Sequence, residues 1–210
     1  MTSVFDLSTR RLYVCTPLRD DLLDFTRDVI EGGVDIVQLR DKDADARDIL
    51  AAARNLVTLC HDHDVPFILN DRPDLALEVG ADGVHVGQDD APVSLCRRLL
   101  GPEAIVGLST HAEKEVRAAR QENVTYLSAG PVNATPTKPG RAGTGVEYAT
   151  YAQNISTSPV FVTGGVTPET VPLLAAAGVR HFVVVRYLTT SAHPRDAAFR
   201  LREAIDSALA

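Results

Sequence analysis

Short apolar runs recur along the chain, separated by stretches whose apolar positions repeat every three to four residues. The first kind reads as a strand and the second as an amphipathic helix. Leu12-Tyr13-Val14-Cys15 opens the series, ended by Thr16-Pro17. Leu22 to Ile30 follows as a helix, apolar at Leu22, Phe25, Val29 and Ile30, and Gly32-Gly33 stops it. The same alternation predicts strands over Val34–Arg40, Pro66–Asn70, Gly83–Gly87, Ile105–Ser109, Val124–Ser128, Pro159–Val162 and His181–Val185. It predicts helices over Asp45–His61, Asp74–Val79, Pro92–Leu100, His111–Glu122, Val146–Ile155, Pro168–Ala177 and Pro194–Leu209. One connection is long: Gly130 to Gly145, rich in Pro, Thr and Gly.

Strand then helix, repeated eight times, implies a parallel sheet of the α/β class. Units of roughly 25 residues make a small single (β/α)8 barrel, a TIM barrel, over residues 1–210. A doubly wound open sheet is the rival. It usually has fewer strands and a glycine-rich turn after the first one, and here that turn is Cys15-Thr16-Pro17.

A barrel carries its active site at the carboxyl ends of its strands, so chemically useful residues should collect there. They do. Gln38, Arg40 and Lys42 end the second strand, and Asn70-Asp71 the third. Gln88-Asp89-Asp90 follows the fourth and Ser109 ends the fifth. Thr135-Pro136-Thr137-Lys138 lies in the long loop, and Gly164-Gly165 follows the seventh strand.

Gln38, Arg40 and Lys42 alternate with Leu39 and Asp41, which predicts one polar face on a strand otherwise apolar at Ile36 and Val37. Two cations and an amide on such a face need an anionic partner. A phosphate or diphosphate clamp answers that need, and a solvated edge strand is the alternative. Asp71 and Asp90 end neighbouring strands and suit Mg²⁺, which takes one or two carboxylates plus phosphate oxygens and water. Each also precedes a helix and, taken singly, reads first as a capping or turn residue, a role that a metal ligand can share; Asp89 competes with Asp90 on spacing. Thr135, Thr137 and Lys138 could offer hydroxyls and a point cation to a diphosphate, and their loop could serve as a lid or be a solvated insertion. Gly164-Gly165 before Thr167-Pro168-Glu169 suggests backbone amides at a helix start binding phosphate, or a tight turn. Among the histidines, His85 reads as a packed core residue, His61 and His63 as solvated, and His111 as a rim residue within reach of substrate.

Composition narrows the function. A net charge of −7 argues against non-specific nucleic-acid binding. No apolar run is long enough to span a bilayer, and the amino terminus lacks the pattern of a signal peptide. Cys15, Cys60 and Cys96 are far apart and lack metal-ligand spacing, as in reduced thiols of a cytoplasmic protein. The expected partners are small molecules rather than nucleic acid or membrane. Self-association into a homo-oligomer is left open.

In order, the strand-end motifs resemble those of the thiamine-phosphate synthase family, a family of small (β/α)8 barrels. Gln38-Leu39-Arg40-Asp41-Lys42 is similar to its Gln-x-Arg-x-Lys stretch. Asn70-Asp71, Asp82 to Asp90, Gly107-Leu108-Ser109, Gly130-Pro131, Thr135-Pro136-Thr137-Lys138 and Gly164-Gly165 resemble its later motifs. The resemblance covers nearly the whole chain. It implies that the diphosphate of 4-amino-5-hydroxymethyl-2-methylpyrimidine is displaced by the nitrogen of a thiazole phosphate, or of its carboxylated precursor. Thiamine phosphate and pyrophosphate would be released, with pyrophosphate leaving first. By the same resemblance, Asp71 and Asp90 hold Mg²⁺, and Gln38, Arg40, Lys42, Asn70, Ser109 and Lys138 hold the pyrimidine diphosphate. Lys138, Arg40 and Ser109 act on the reacting groups. Thr135, Thr137, Gly165 and the end of strand eight, Val185 and Arg186, hold the thiazole phosphate. Arg186 departs from the small residue the family often has there.

Two other functions share parts of this pattern. A thiazole tautomerase uses the same barrel but needs no clamp for metal and diphosphate. A non-catalytic sensor of phosphorylated thiamine intermediates would bind without turnover.

Overall fold

The computed structural model describes residues 5–134 and 142–210. Eight parallel strands close on themselves in sequence order, each hydrogen-bonded to the next and β8 to β1. They are β1 Leu12–Thr16, β2 Ile36–Leu39, β3 Phe67–Asn70, β4 Gly83–Val86, β5 Ile105–Thr110, β6 Tyr126–Ala129, β7 Val160–Thr163 and β8 His181–Val184. Around them lie α1 Leu22–Glu31, α2 Ala46–Asp62, α3 Pro73–Val79, α4 Val93–Leu100, α5 Glu113–Ala119, α6 Gly145–Ile155, α7 Val171–Ala176, α8 Arg186–Thr189 and α9 Pro194–Leu209. The (β/α)8 expectation is met. Among the described residues no helix is long and apolar enough to cross a membrane.

Alternation along each strand divides the core in two. Val14, Val37, Leu39, Leu69 and Val84 face outward into the shell between barrel and helices. Tyr13, Ile36, Ile68, Ile105, Tyr126 and Phe161 face inward, and Leu7 joins them. The inner rings meet edge to face: Phe161 lies 5.6 Å from Tyr13 and 5.3 Å from Tyr126, centroid to centroid. The barrel is thus filled at that level, and polar chemistry is confined to the space above it.

Some predicted elements shift. β2 ends at Leu39, so Arg40 and Lys42 belong to the loop after it, not to a strand face. Only Gln38 of that trio stands in the barrel wall, because ladder pairing with β1 and β3 stops at Leu39. The helix expected over His111–Glu122 covers only Glu113–Ala119: Ala112 is extended, and the Glu115 carboxylate takes the His111 N–H at 2.7 Å. The helix expected over Pro168–Ala177 begins at Val171, with Pro172 in its first turn, where the missing N–H costs nothing. Val185 lies outside β8, and the short helix α8, which the periodicity did not reveal, starts at the next residue. His61 is not simply solvated, since its Nε2 lies 3.0 Å from Asp82.

Carboxylates fasten the bottom of the barrel. Asp35 accepts hydrogen bonds from the Arg11 and Leu12 amides at 2.8 and 2.9 Å, and pairs with Arg202 of α9 at 3.0 Å. Burial raises its carboxyl above the ordinary range, although both amides and Arg202 oppose this. The folded chain therefore binds that proton at a higher pH than the unfolded chain does. Relative to Asp35→Asn, wild-type stability should grow as pH falls through the raised value and level off below about 3.9. Chemical denaturation of both proteins across that range checks the sign, and a difference that shrinks on acidification contradicts it.

Candidate functional site: the carboxyl rim of the barrel

A cavity of about 1060 Å³ opens at the carboxyl ends of the strands. Its floor is the polar layer above the inner rings, including Cys15, Gln38, Asn70, His85 and Ser109. Its rim is made by the βα loops. Arg40, Lys42, Asp71, Asp90, Gly164, Gly165, Val185 and Arg186 all line it. Thr135, Thr137 and Lys138 lie outside the described residues.

The third and fourth loops set the carboxylates. Asp71 adopts φ 60°, a left-handed conformation that Asp tolerates better than most residues. Its amide bonds the His85 carbonyl at 2.8 Å, which fixes it against β4. Its carboxylate meets Lys42 Nζ at 2.8 Å, although half of the lysine side chain is exposed. Asp90 accepts the Gly87 N–H at 2.8 Å, so it closes its own turn. Neither carboxylate caps a helix: the residues at those positions are Arg72 and Pro92, without side-chain cap bonds. Asp89 also lines the cavity but is exposed, and Asp90 is the more buried carboxylate of the pair.

Asp71 and Asp90 interact directly. Burial raises the Asp71 carboxyl above its ordinary range, Asp90 adds to that rise, and Lys42 opposes it. Burial pushes Asp90 upward too, but the Gly87 amide, Asp71 and Lys42 outweigh it and hold Asp90 low. Two carboxylates turned toward one another need a positive neighbour, and Lys42 is one.

The donor set fits Mg²⁺. It is all oxygen, two carboxylates on neighbouring loops at a cavity mouth. Among the described residues no group of three or more His, Cys, Asp or Glu could enclose a metal by itself. That is the arrangement Mg²⁺ favours when a substrate phosphate completes its coordination.

On the opposite side the base of the long loop is stitched to β7. The Val132 N–H reaches the Thr163 carbonyl at 2.8 Å, and Thr144 N–H reaches the Pro131 carbonyl at 2.8 Å. A Cβ on Gly164 would stand 2.5 Å from the Val132 nitrogen, so glycine is what lets these backbones approach. Gly164 and Gly165 have φ 105° and 82°. The helix after them is not at Thr167: Thr170 Oγ1 accepts the Thr167 N–H at 2.9 Å and holds a turn there. The short helix α8, which begins at Arg186, lines the same cavity as these glycines. Arg40 and Arg186 also line a smaller side cavity with Cys15 and Thr189.

Several lining residues escape sequence reasoning. Tyr13, Cys15, Ser128, Thr163 and Val183 line the cavity from strands that read as merely apolar or neutral. Period-two alternation from Gln38 and Ser109 across the neighbouring strands is the signal that could have found them. His85 is buried as expected, but it also bonds Ser109 Oγ at 2.8 Å. His111 lies at the rim beside Glu115, at 3.3 Å.

A closed barrel with three cations, a carboxylate pair and a glycine turn at one rim has the layout of a barrel enzyme. The pattern of the family described as thiamine monophosphate synthase matches residues 12–188. A thiamine-phosphate synthase of Thermobifida fusca is 44% identical over 209 residues, covering 97% of this chain and 96% of its own. One from Nostoc punctiforme is 44% identical over 184 residues, covering 88% of this chain, which spans 52% of that longer protein. The solved thiamine phosphate pyrophosphorylase from Pyrococcus furiosus superposes with a TM-score of 0.86 at 28% identity, covering 95% of this chain and 97% of its own. The chain belongs to the thiamine monophosphate synthase family.

Proposed function

We propose that this chain joins 4-amino-2-methyl-5-(diphosphooxymethyl)pyrimidine to a thiazole phosphate, releasing thiamine phosphate and pyrophosphate. The observation that carries this reading is the gathering of Asp71, Asp90, Lys42 and Arg40 at the mouth of one cavity in a member of this family. A diphosphate leaving group needs that concentration of charge, and a tautomerisation does not.

Arg40, Lys42 and Asn70 hold the diphosphate, with Lys138 completing the clamp from the long loop. Gln38 and Ser109 hold the pyrimidine ring over the barrel floor. The bond from the methylene carbon to the diphosphate oxygen breaks, and its electron pair leaves with pyrophosphate. The thiazole nitrogen then donates its lone pair to that carbon and forms the new C–N bond. No protein nucleophile or general base is required. Cations around the leaving oxygen favour the step because charge develops there. Mg²⁺ held by Asp71 and Asp90 would neutralise part of the diphosphate charge. Thr135, Thr137, Gly165, Val185 and Arg186 take the thiazole phosphate.

A single assay tests this reading. Thiamine phosphate and pyrophosphate should appear in equal amounts when both substrates and Mg²⁺ are supplied, and Lys138→Ala should lower the rate by on the order of a hundredfold. Folded protein that forms neither product sinks it.

Arg186 departs from the small residue usual in the family and lines the cavity beside Val185. A guanidinium there gives the thiazole phosphate a charge-assisted partner. Arg186→Ser should raise KM for the thiazole phosphate about tenfold and leave KM for the pyrimidine diphosphate unchanged. An unchanged thiazole-phosphate KM removes Arg186 from the site.

A further inference from the structure

Five side chains inside the barrel form one continuous hydrogen-bonded chain. Gln38 Nε2 lies 2.6 Å from Tyr13 Oη, which lies 2.9 Å from Tyr126 Oη. Tyr126 Oη lies 2.8 Å from His85 Nδ1, and His85 Nε2 lies 2.8 Å from Ser109 Oγ. Cys15 Sγ closes the first end, 3.2 Å from Gln38 Oε1. All of these residues are buried, and the two ends, Gln38 and Ser109, face the cavity. The His85 and Tyr126 rings also stack, with centroids 5.4 Å apart.

Such a chain has a direction. Each hydroxyl carries one hydrogen and a neutral imidazole carries one N–H. Burial holds both phenols well above their ordinary range, so both keep their hydrogens. In the structure the Gln38 amide donates to Tyr13 and its carbonyl accepts from Cys15. Continuing that direction through a neutral His85, Tyr13 donates to Tyr126, and Tyr126 to His85 Nδ1. His85 is left with its proton on Nε2, which donates to Ser109 Oγ. The Ser109 hydrogen is thereby turned toward the cavity.

Reversing one link reverses all of them. Ser109 would donate to His85 Nε2, His85 would carry its proton on Nδ1, and the Gln38 amide would rotate to set its carbonyl against Tyr13. A mixed arrangement opposes two hydrogens or two lone pairs among buried side chains, where an unmade hydrogen bond is expensive. With His85 neutral, only the two uniform directions leave every link made.

We propose that Tyr13, Tyr126 and His85 are positioning residues that couple the polarity of Ser109 to that of Gln38, and so select an aminated heterocycle over its oxo counterpart. This rests on the placement of the pyrimidine ring against Gln38 and Ser109. In the direction that the Gln38 amide sets, Ser109 is a donor, and the Gln38 carbonyl has a second lone pair for an acceptor role. A donor suits a ring nitrogen, and an acceptor suits an exocyclic amino group. A 4-oxo ring presents a ring N–H and a carbonyl instead, and needs the opposite direction.

The test reads the His85 tautomer in the whole protein by ¹H–¹⁵N correlation of labelled histidine, assigned by loss of the signal in His85→Gln. The expected wild-type form is neutral with the proton on Nε2, with and without the aminopyrimidine diphosphate. Tyr126→Phe removes the donor to Nδ1, and the Nδ1–H form should rise to a comparable population. The same variant should reduce the kcat/KM preference for the aminopyrimidine diphosphate over its 4-oxo analogue at least tenfold, leaving KM for the thiazole phosphate unchanged. Tyr13→Phe cuts the chain one link further away and should act in the same sense, which covers the case where Tyr126→Phe does not fold. A wild-type proton on Nδ1 overturns the proposal, as does a tautomer or a preference unmoved in the folded variants. If wild-type protein forms no thiamine phosphate, the functional reading fails by itself; the tautomer, and competitive binding of the two pyrimidine diphosphates, still decide the coupling.

Discussion

Asp71→Asn should lower kcat/KM by on the order of a thousandfold while leaving the fold intact. Asparagine tolerates the left-handed backbone found at this position, φ 60°, so the turn after β3 survives. The amide also keeps the size of the carboxylate. What is lost is charge. Lys42 loses the partner it holds at 2.8 Å, and Asp90 loses the carboxylate that would share a divalent cation with it. A neutral amide is a poor ligand for Mg²⁺ beside a diphosphate, and raising the Mg²⁺ concentration should recover only part of the rate. Steady-state kinetics at several Mg²⁺ concentrations, with circular dichroism as the check on folding, measures this. Activity within threefold of wild type would take Asp71 out of the chemistry and leave it as a turn residue.

Gly107→Ala should cost about 3 kcal/mol of stability, enough to lower the melting temperature by several degrees. Gly107 faces into the barrel, level with His85 on β4 and with Tyr126 on β6. The two rings stack across it. An added Cβ would overlap the Tyr126 ring and lie 2.5 Å from His85 Nδ1, and neither ring can retreat into the filled layer below. The displaced rings would also pull His85 from Ser109, so kcat/KM should fall together with stability. Calorimetry alongside the coupled assay follows both. A melting temperature unchanged to within a degree would show that the interior has slack at this level.

Both effects depend on how the chain brings distant residues together, and the chain declares some of that in advance. The eight-fold strand and helix alternation is legible because the two periods differ: strands show runs such as Phe67-Ile68-Leu69, and helices show spaced apolar positions such as Leu22, Phe25 and Val29. Parallel order, closure and the rim as the place for chemistry follow from that count. So do Gln38, Asn70, Asp71, Asp90 and Ser109 as cavity residues, because a polar residue at the end of an apolar run is conspicuous. Helix starts were less legible. α5 and α7 begin late because local groups, the Glu115 carboxylate and the Thr170 hydroxyl, bond the amides before them. α8 is a single turn, too short to show a period.

The sequence by itself determined the barrel, the family motifs and the end of the barrel that carries charge. Only the tertiary structure decided which of those charges meet. That Lys42 bridges to Asp71, that Asp90 rather than Asp89 is the more buried carboxylate, and that Tyr13, Tyr126 and His85 link Gln38 to Ser109 are facts about strand register and loop conformation. The physical reason is range. Periodicity records what each residue needs from its immediate neighbours, water or core. A hydrogen bond between residues 113 positions apart, such as Tyr13 to Tyr126, exists only once the closing of the sheet sets the stagger of its strands.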